Sequence, residues 1–356
     1  MESDDDFCLE TVSVAGFDGD ATELAQRLNA IVQELRIIDP DRPLDFRRMR
    51  RLFISSRYGE TLDELSADTI SGRSIGYTDE EYARGVAKVL ILPVKDGGFE
   101  IVPVLAAEPF AILGSDFASL GADDKTWYGA VLHMLHHELC HVHDDNKKLD
   151  AMPATMLGKG WAGAEMFIGP LAEVSWCEYF ANRVSSFTAP ADQVTDTAQM
   201  FQDALQRTKP LINDHVLAYR TNADLKGLMA LFQRHGDFLV KSAAYMLGYL
   251  DGIEMSLEEV SADAHLALTE SGFLPIWERM QETLRTMFAQ HPKGWDDSLA
   301  IYADLLAIML DFYDEMGLVL QAQPDGGLYV DVPFRPENST PDMILQNAAL
   351  RMLGIR

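Results

Sequence analysis

Three cysteines in 356 residues, Cys8, Cys140 and Cys177, are too few and too oddly numbered for a disulfide framework, which excludes the small secreted scaffolds. Long apolar runs are missing too, since no uncharged stretch approaches the ~20 residues that cross a bilayer. The opening Met1-Glu2-Ser3-Asp4-Asp5-Asp6 is acidic where a secretory signal needs a basic start. These absences lead us to expect a soluble, cytoplasmic protein with no membrane partner. Positive charge is scarce, with 29 Lys and Arg against 56 Asp and Glu and a formal net charge of −27. Such a surface repels phosphate backbones, so direct nucleic-acid binding is disfavoured and a basic partner or substrate segment is favoured. Arg47-Arg48-Met49-Arg50-Arg51 is a local exception, expected on an amphipathic helix where it forms salt bridges rather than reads DNA. No repeat of fixed period is found.

What the chain has is a hydrophobic fraction of 47%, enough to bury a full core, with two domains expected from its length. Residues 1–20 read as a loose arm or one short strand around Leu9 to Ala15. Helices follow at about 21–37 and 44–57, then a short helix and loop over 60–77. Thr78-Asp79-Glu80-Glu81 is a capping-box signature for a helix up to about 86. The period then changes to two. Residues 87–94 and 99–105, around a turn at Asp96-Gly97-Gly98, form a hairpin in which Pro93 and Pro103 force at least one strand to an edge or bulge. After Pro190 the pattern is helical, near 191–207, 209–220, 222–235, 237–254, 256–270, 274–290, 295–316 and 343–353. Pro210, Gly236 and Pro275 act as breaks, and 318–332 forms a second hairpin. The fold class expected is α+β, mainly α, with a small antiparallel sheet and a largely helical C-terminal region. The segments are 1–74, N-terminal and helical; 75–188, the core; and 189–356, the helical region.

The sharpest chemical statement is His137-Glu138-Leu139-Cys140-His141, an instance of H-E-x-x-H. Residues four apart on a helix are rotated by only about 40°, so His137 and His141 share a face and can hold one metal ion. Glu138 lies about 100° round, outside that pair, where it can handle the proton of a water molecule. Asp123 and Asp124 suit a helix N-terminus, and Trp127, Val131, Met134, Leu135, Leu139 and Val142 supply apolar contacts. One long buried helix over about 124–145 is expected, with Asp144-Asp145-Asn146-Lys147-Lys148 as a solvated exit. His133 shares the face of His137 one turn earlier. His136 and His143 lie off it, as capping or surface residues, and Cys140 is expected to be buried and structural.

A catalytic zinc site takes three protein ligands and leaves one position open. Pro170 suits the first turn of a second helix, about 170–187, carrying Glu173 and Glu178. Glu173 sits in the first turn, where an acid serves the helix dipole in any case. Glu178 shares a face with Leu171, Val174, Ala181, Asn182 and Ser185, whose small members let another helix come close, and it is the third ligand selected. Its alternative use is a salt bridge to Arg183 or another base. Asn182 is placed to hydrogen-bond a ligand group and hold it in orientation. Tyr179, Arg183, Tyr128 and His133 are candidates for stabilising an oxyanion. Between the two helices, 152–170 has the length of a lid, with Gly158, Gly160 and Gly163 as hinges.

HELCHVHD followed by Glu178-Tyr179-Phe180-Ala181-Asn182-Arg183 resembles the gluzincin pattern, in which H-E-x-x-H is completed by a glutamate on a later helix. More narrowly it is similar to the ImmA/IrrE-type metallopeptidases, whose third-ligand helix reads E-x-x-A-N. The resemblance covers about 75–187. It implies a zincin-like core, Zn2+ held by His137, His141 and Glu178, and Glu138 as general base and proton shuttle. It also implies a regulatory protease whose partner is a protein or peptide substrate such as a basic DNA-binding repressor. The contrasting expectation is a binding module that uses the same scaffold without cutting.

Overall fold

The computed structural model describes residues 9–16, 21–66, 79–80, 83–94, 98–156, 160–324 and 326–353. It is mainly helical with small sheets and divides into two compact units. The first comprises Met1–Lys159, Phe180–Gln193 and Pro292–Ser298, and the second Gly160–Tyr179, Val194–His291 and Leu299–Arg356.

In the first unit, β1 (Thr11–Ala15), α1 (Ala21–Arg36), β2 (Arg51–Ser55) and α2 (Tyr58–Ser66) come first. The chain continues through β3 (Asp79–Glu80), β4 (Ala83–Arg84), β5 (Ala87–Pro93), β6 (Phe99–Ala106) and the short α3 (Ala107–Phe110). The long α4 (Ala122–Ala151) and the one-turn α5 (Pro153–Met156) complete this part. The main sheet has the order β1-β2-β6-β5, with β1, β2 and β6 parallel and β5 antiparallel to β6. The expected hairpin is therefore present, and two parallel strands extend it. β6 is buried along almost its whole length because it is central. Ile101 and Leu105 face a core shared with Leu24, Leu28 and Val32 of α1 and Val131, Leu135 and Leu139 of α4. Val102 and Val104 face the opposite way, onto Tyr58 and Leu62 of α2.

The prolines are accommodated as the ladder demands. Pro93 ends the edge strand β5. Pro103 is central, but its missing N–H falls where the ladder to β2 is interrupted: the Ile101 N–H reaches the Arg48 carbonyl at 2.8 Å, and pairing with β2 resumes only at Val104.

Several expectations are corrected. No helix forms over 44–57; Leu52 and Ile54 are buried at period two, and β2 fills the slot between β1 and β6. The basic run makes salt bridges as expected, from a turn and the start of β2: Arg47 and Arg48 to Asp150, Arg47 also to Asp45, and Arg51 to Glu100. The helix expected up to about 86 does not form over the described residues 79–80 and 83–84. Asp79–Glu80 pairs antiparallel with Ala83–Arg84, which excludes a helix to 86. Residues 67–78, the turn residues Asp96 and Gly97, and the hinge candidate Gly158 lie outside the described residues. Trp127 is 47% exposed rather than a core contact. The solvated exit of α4 is instead largely interior: Asp144, Asn146 and Lys148 are buried, with Lys148 Nζ 2.5 Å from Asp144 Oδ2. The strand-entry segment covers them, since Asn146 Nδ2 donates to the Asp45 carbonyl at 3.0 Å.

Helix α6 spans Glu165–Ser185. It starts before Pro170, contrary to the expectation that proline opens it. The Trp161 ring lies against Gly169, where a Cβ would stand 2.2 Å from the ring, so this close approach requires glycine. Pro170 deprives only the Met166 carbonyl of its donor, and Met166 is 64% exposed, so water can serve it.

The second unit continues with α7 (Ala191–Asn222), α8 (Leu225–Phe232), α9 (Phe238–Ile253), α10 (Leu257–Val260), α11 (Ala262–Glu270), α12 (Leu274–Gln290) and α13 (Ala303–Glu315). It ends with the hairpin β7 (Val319–Ala322) and β8 (Leu328–Asp331), as expected, and α14 (Pro341–Met352). Pro210 does not break α7, because the carbonyl it orphans belongs to the exposed Gln206. Gly236 does not break the chain either. A π-helical turn, Gln233–Asp237, carries α8 into α9.

Asp45 ties the segment before β2 to α4. Burial alone would raise its carboxyl, but hydrogen bonds from Arg47 and Lys147 outweigh this and hold it well below the usual carboxylate range. Asp45→Ala is expected to cost about 2 kcal/mol at neutral pH in urea unfolding, the scale of a charge-assisted hydrogen-bond pair. A loss within experimental error would show that this tie is not structural.

Candidate metal centre

His137 and His141 stand one turn apart on α4, half-buried, with their Nε2 atoms 3.1 Å apart and their rings nearly perpendicular at 87°. Two nitrogens bound to one tetrahedral zinc at ~2.05 Å would be roughly 3.3 Å apart, so the pair fits a shared cation. Glu178, on α6, is 8% exposed. One ligand atom from each of His137, His141 and Glu178 lies within 4.8 Å of the other two. Among the described residues this is the one such group of three. Two imidazoles and a carboxylate are the donor set that suits zinc and neighbouring transition metals, so the group can hold a metal ion.

The position of Glu178 follows from the next turn of its own helix. Ala181 is fully buried in the core that contains Leu135, Leu139 and Val142 of α4. A residue that small lets the backbones come close. Two buried histidines fix the same pair of segments. His133 Nδ1 and His136 Nδ1 lie 3.0 and 2.8 Å from Thr188 Oγ1, which donates to the Ser185 carbonyl at 2.9 Å. With its proton engaged there, the hydroxyl offers only lone pairs, so each histidine donates from Nδ1. His133 is thus committed to the turn after α6, and His136 is an interior residue, not a surface one.

The other candidates are distributed as follows. Glu138 is half-buried beside His137, and Asn182 is buried one turn beyond Glu178. Arg183 is half-buried in the last turn of α6. The Tyr179 hydroxyl donates to Asp251 Oδ2 at 2.6 Å, and Arg285 grips the same carboxylate. Tyr128 packs edge-on to Phe117, with ring centroids 5.2 Å apart, more than two turns before His137. His143 accepts the Asp45 N–H at 2.7 Å and stacks on Phe180. Neither Cys140 nor Cys177 is in a disulfide, and burial pushes the Cys140 thiol up.

The helix expected near 237–254 is present as α9, but its side chains beside Glu178 were not among the expected site residues. Lys241 Nζ lies 3.6 Å from Glu178 Oε1 and 5.6 Å from the centre of the Tyr245 ring. One turn further, burial and then the Glu178 charge raise the Tyr249 hydroxyl. The available signal was spacing: Lys241, Tyr245 and Tyr249 stand at i, i+4 and i+8 on a mostly apolar helix.

No family model, curated protein or solved structure matches this chain. Among the described residues, no helix is long and apolar enough to cross a membrane.

Burial, followed by repulsion from His137, pushes His133 down to about 3 and His136 to about 4. These folded values lie below the unfolded value near 6.5, so the unfolded chain binds protons the folded state refuses. Their contribution is complete above about pH 6.5 and is lost as pH falls toward 4. In chelator-treated protein, stability is expected to fall by about 1.4 kcal/mol per pH unit for each histidine across that window. Denaturant titrations at successive pH values measure this. His133→Gln should remove one histidine's share of the slope, and an unchanged slope would contradict the burial account.

Proposed function

We propose that this protein is a zinc-dependent metallopeptidase with a zincin-like core. The observation that carries the reading is the convergence of His137, His141 and Glu178, with Glu138 next to the first histidine. When bound, zinc supplies the Lewis acidity that makes water nucleophilic near neutral pH. Glu138 accepts the proton of the attacking water and delivers it to the leaving amine. Asn182, one turn beyond Glu178, hydrogen-bonds a ligand group and holds it in orientation.

β5 supports a peptide substrate. It is an edge strand, antiparallel to β6, and its Val89 and Ile91 pack on the core that contains α4. Such an edge can take up an extended peptide as an added strand. The charge of −27 favours a basic segment, consistent with the DNA-binding repressor implied by the family resemblance. The cysteine count, odd and without framework spacing, fits a cytoplasmic protein. One observation favours the non-catalytic reading: Lys241 stands beside Glu178, as it would if the carboxylate served only an ion pair.

Zinc content and cleavage of a basic peptide library separate these readings. Native protein is expected to hold about one zinc per chain, His137→Ala and Glu178→Ala to lose it, and Glu138→Gln to keep it. Cleavage should fall by about 10²-fold or more in Glu138→Gln. Zinc retained by both ligand variants would refute the site, and zinc without cleavage by native protein would support the binding module.

A further inference from the structure

The Lys241 contact bears on how the site fills. Glu178 is almost fully buried, and its Oε1 lies 3.6 Å from the lysine ammonium. A divalent ion held by the same carboxylate and the two imidazoles would meet that positive charge at short range in a partly desolvated place, where repulsion is screened less than at the surface. The same ammonium stands 5.6 Å from the centre of the Tyr245 ring, one turn on along its own helix.

We propose that Lys241 is a resident counter-cation for Glu178 that holds down the affinity of the His137, His141 and Glu178 group for divalent metal, so that the site loads reversibly with metal supply. The proposal rests on the metal-site reading above and adds its regulation. Without metal, the lysine offsets the cost of a buried carboxylate. On loading, the ammonium gives up its ion pair with Glu178 and keeps its place near the electron-rich Tyr245 ring. Lys241 acts here through Glu178 and is a positioning residue.

The test measures zinc affinity by chelator competition, together with melting temperature with and without zinc, in full-length native protein, Lys241→Met and Lys241→Arg. Lys241→Met is expected to bind zinc about tenfold more tightly or better. Its metal-free form should melt lower than native, and its zinc-loaded form no lower. Lys241→Arg, which keeps the charge, should stay within about threefold of native affinity. Lys241→Gln replaces the methionine variant if that one does not fold. Unchanged or weakened zinc affinity in Lys241→Met, with native zinc binding still dependent on His137, overturns this proposal alone. A native protein that binds no zinc overturns the metal site and this proposal with it.

Discussion

Everything proposed for this molecule depends on how closely the end of α6 approaches α4. Ala181 makes the approach possible by presenting a single methyl group to a core of Leu135, Leu139 and Val142. Thr188 makes it specific, because its one hydroxyl joins two buried histidines of α4 to the turn that ends α6. Van der Waals packing alone would tolerate a sliding helix. Directed hydrogen bonds between buried groups do not, since a slip would leave both imidazoles unsatisfied. Glu178 stands one turn before Ala181 on the same helix.

Charge is used in two different ways around this core. At the far end of α4, Asp45 and Asp150 gather Arg47, Arg48 and Lys147, so the basic run is spent on fastening a distant segment of the same chain. Deeper in the same helix, Asp144 and Lys148 form a buried pair. Lys241 differs, because the carboxylate it meets is one that two imidazoles also approach.

Much of this could be read from the chain, and the failures share a cause. The i, i+4 spacing of His137 and His141 and the small residues on the Glu178 face are local facts, and local geometry determines what they do. The hairpin of β5 and β6 was likewise carried by alternation and its flanking prolines. What could not be read depended on partners distant in sequence. Leu52 and Ile54 become a strand only because β1 and β6 lie on either side, and Asn146 is buried because Asp45 comes back to cover it. Trp127 had a core-like position on the helical wheel but extends beyond the elements that bury the rest of α4. The lysine beside Glu178 is 63 residues further along the chain, and no pattern near the acid announces it.

X-ray absorption at the zinc edge of the loaded protein tests the central claim most directly. The account predicts a shell of nitrogen and oxygen near 2.0–2.1 Å with outer-shell scattering from two imidazoles. Sulfur at about 2.3 Å, or a shell without imidazole, would contradict it.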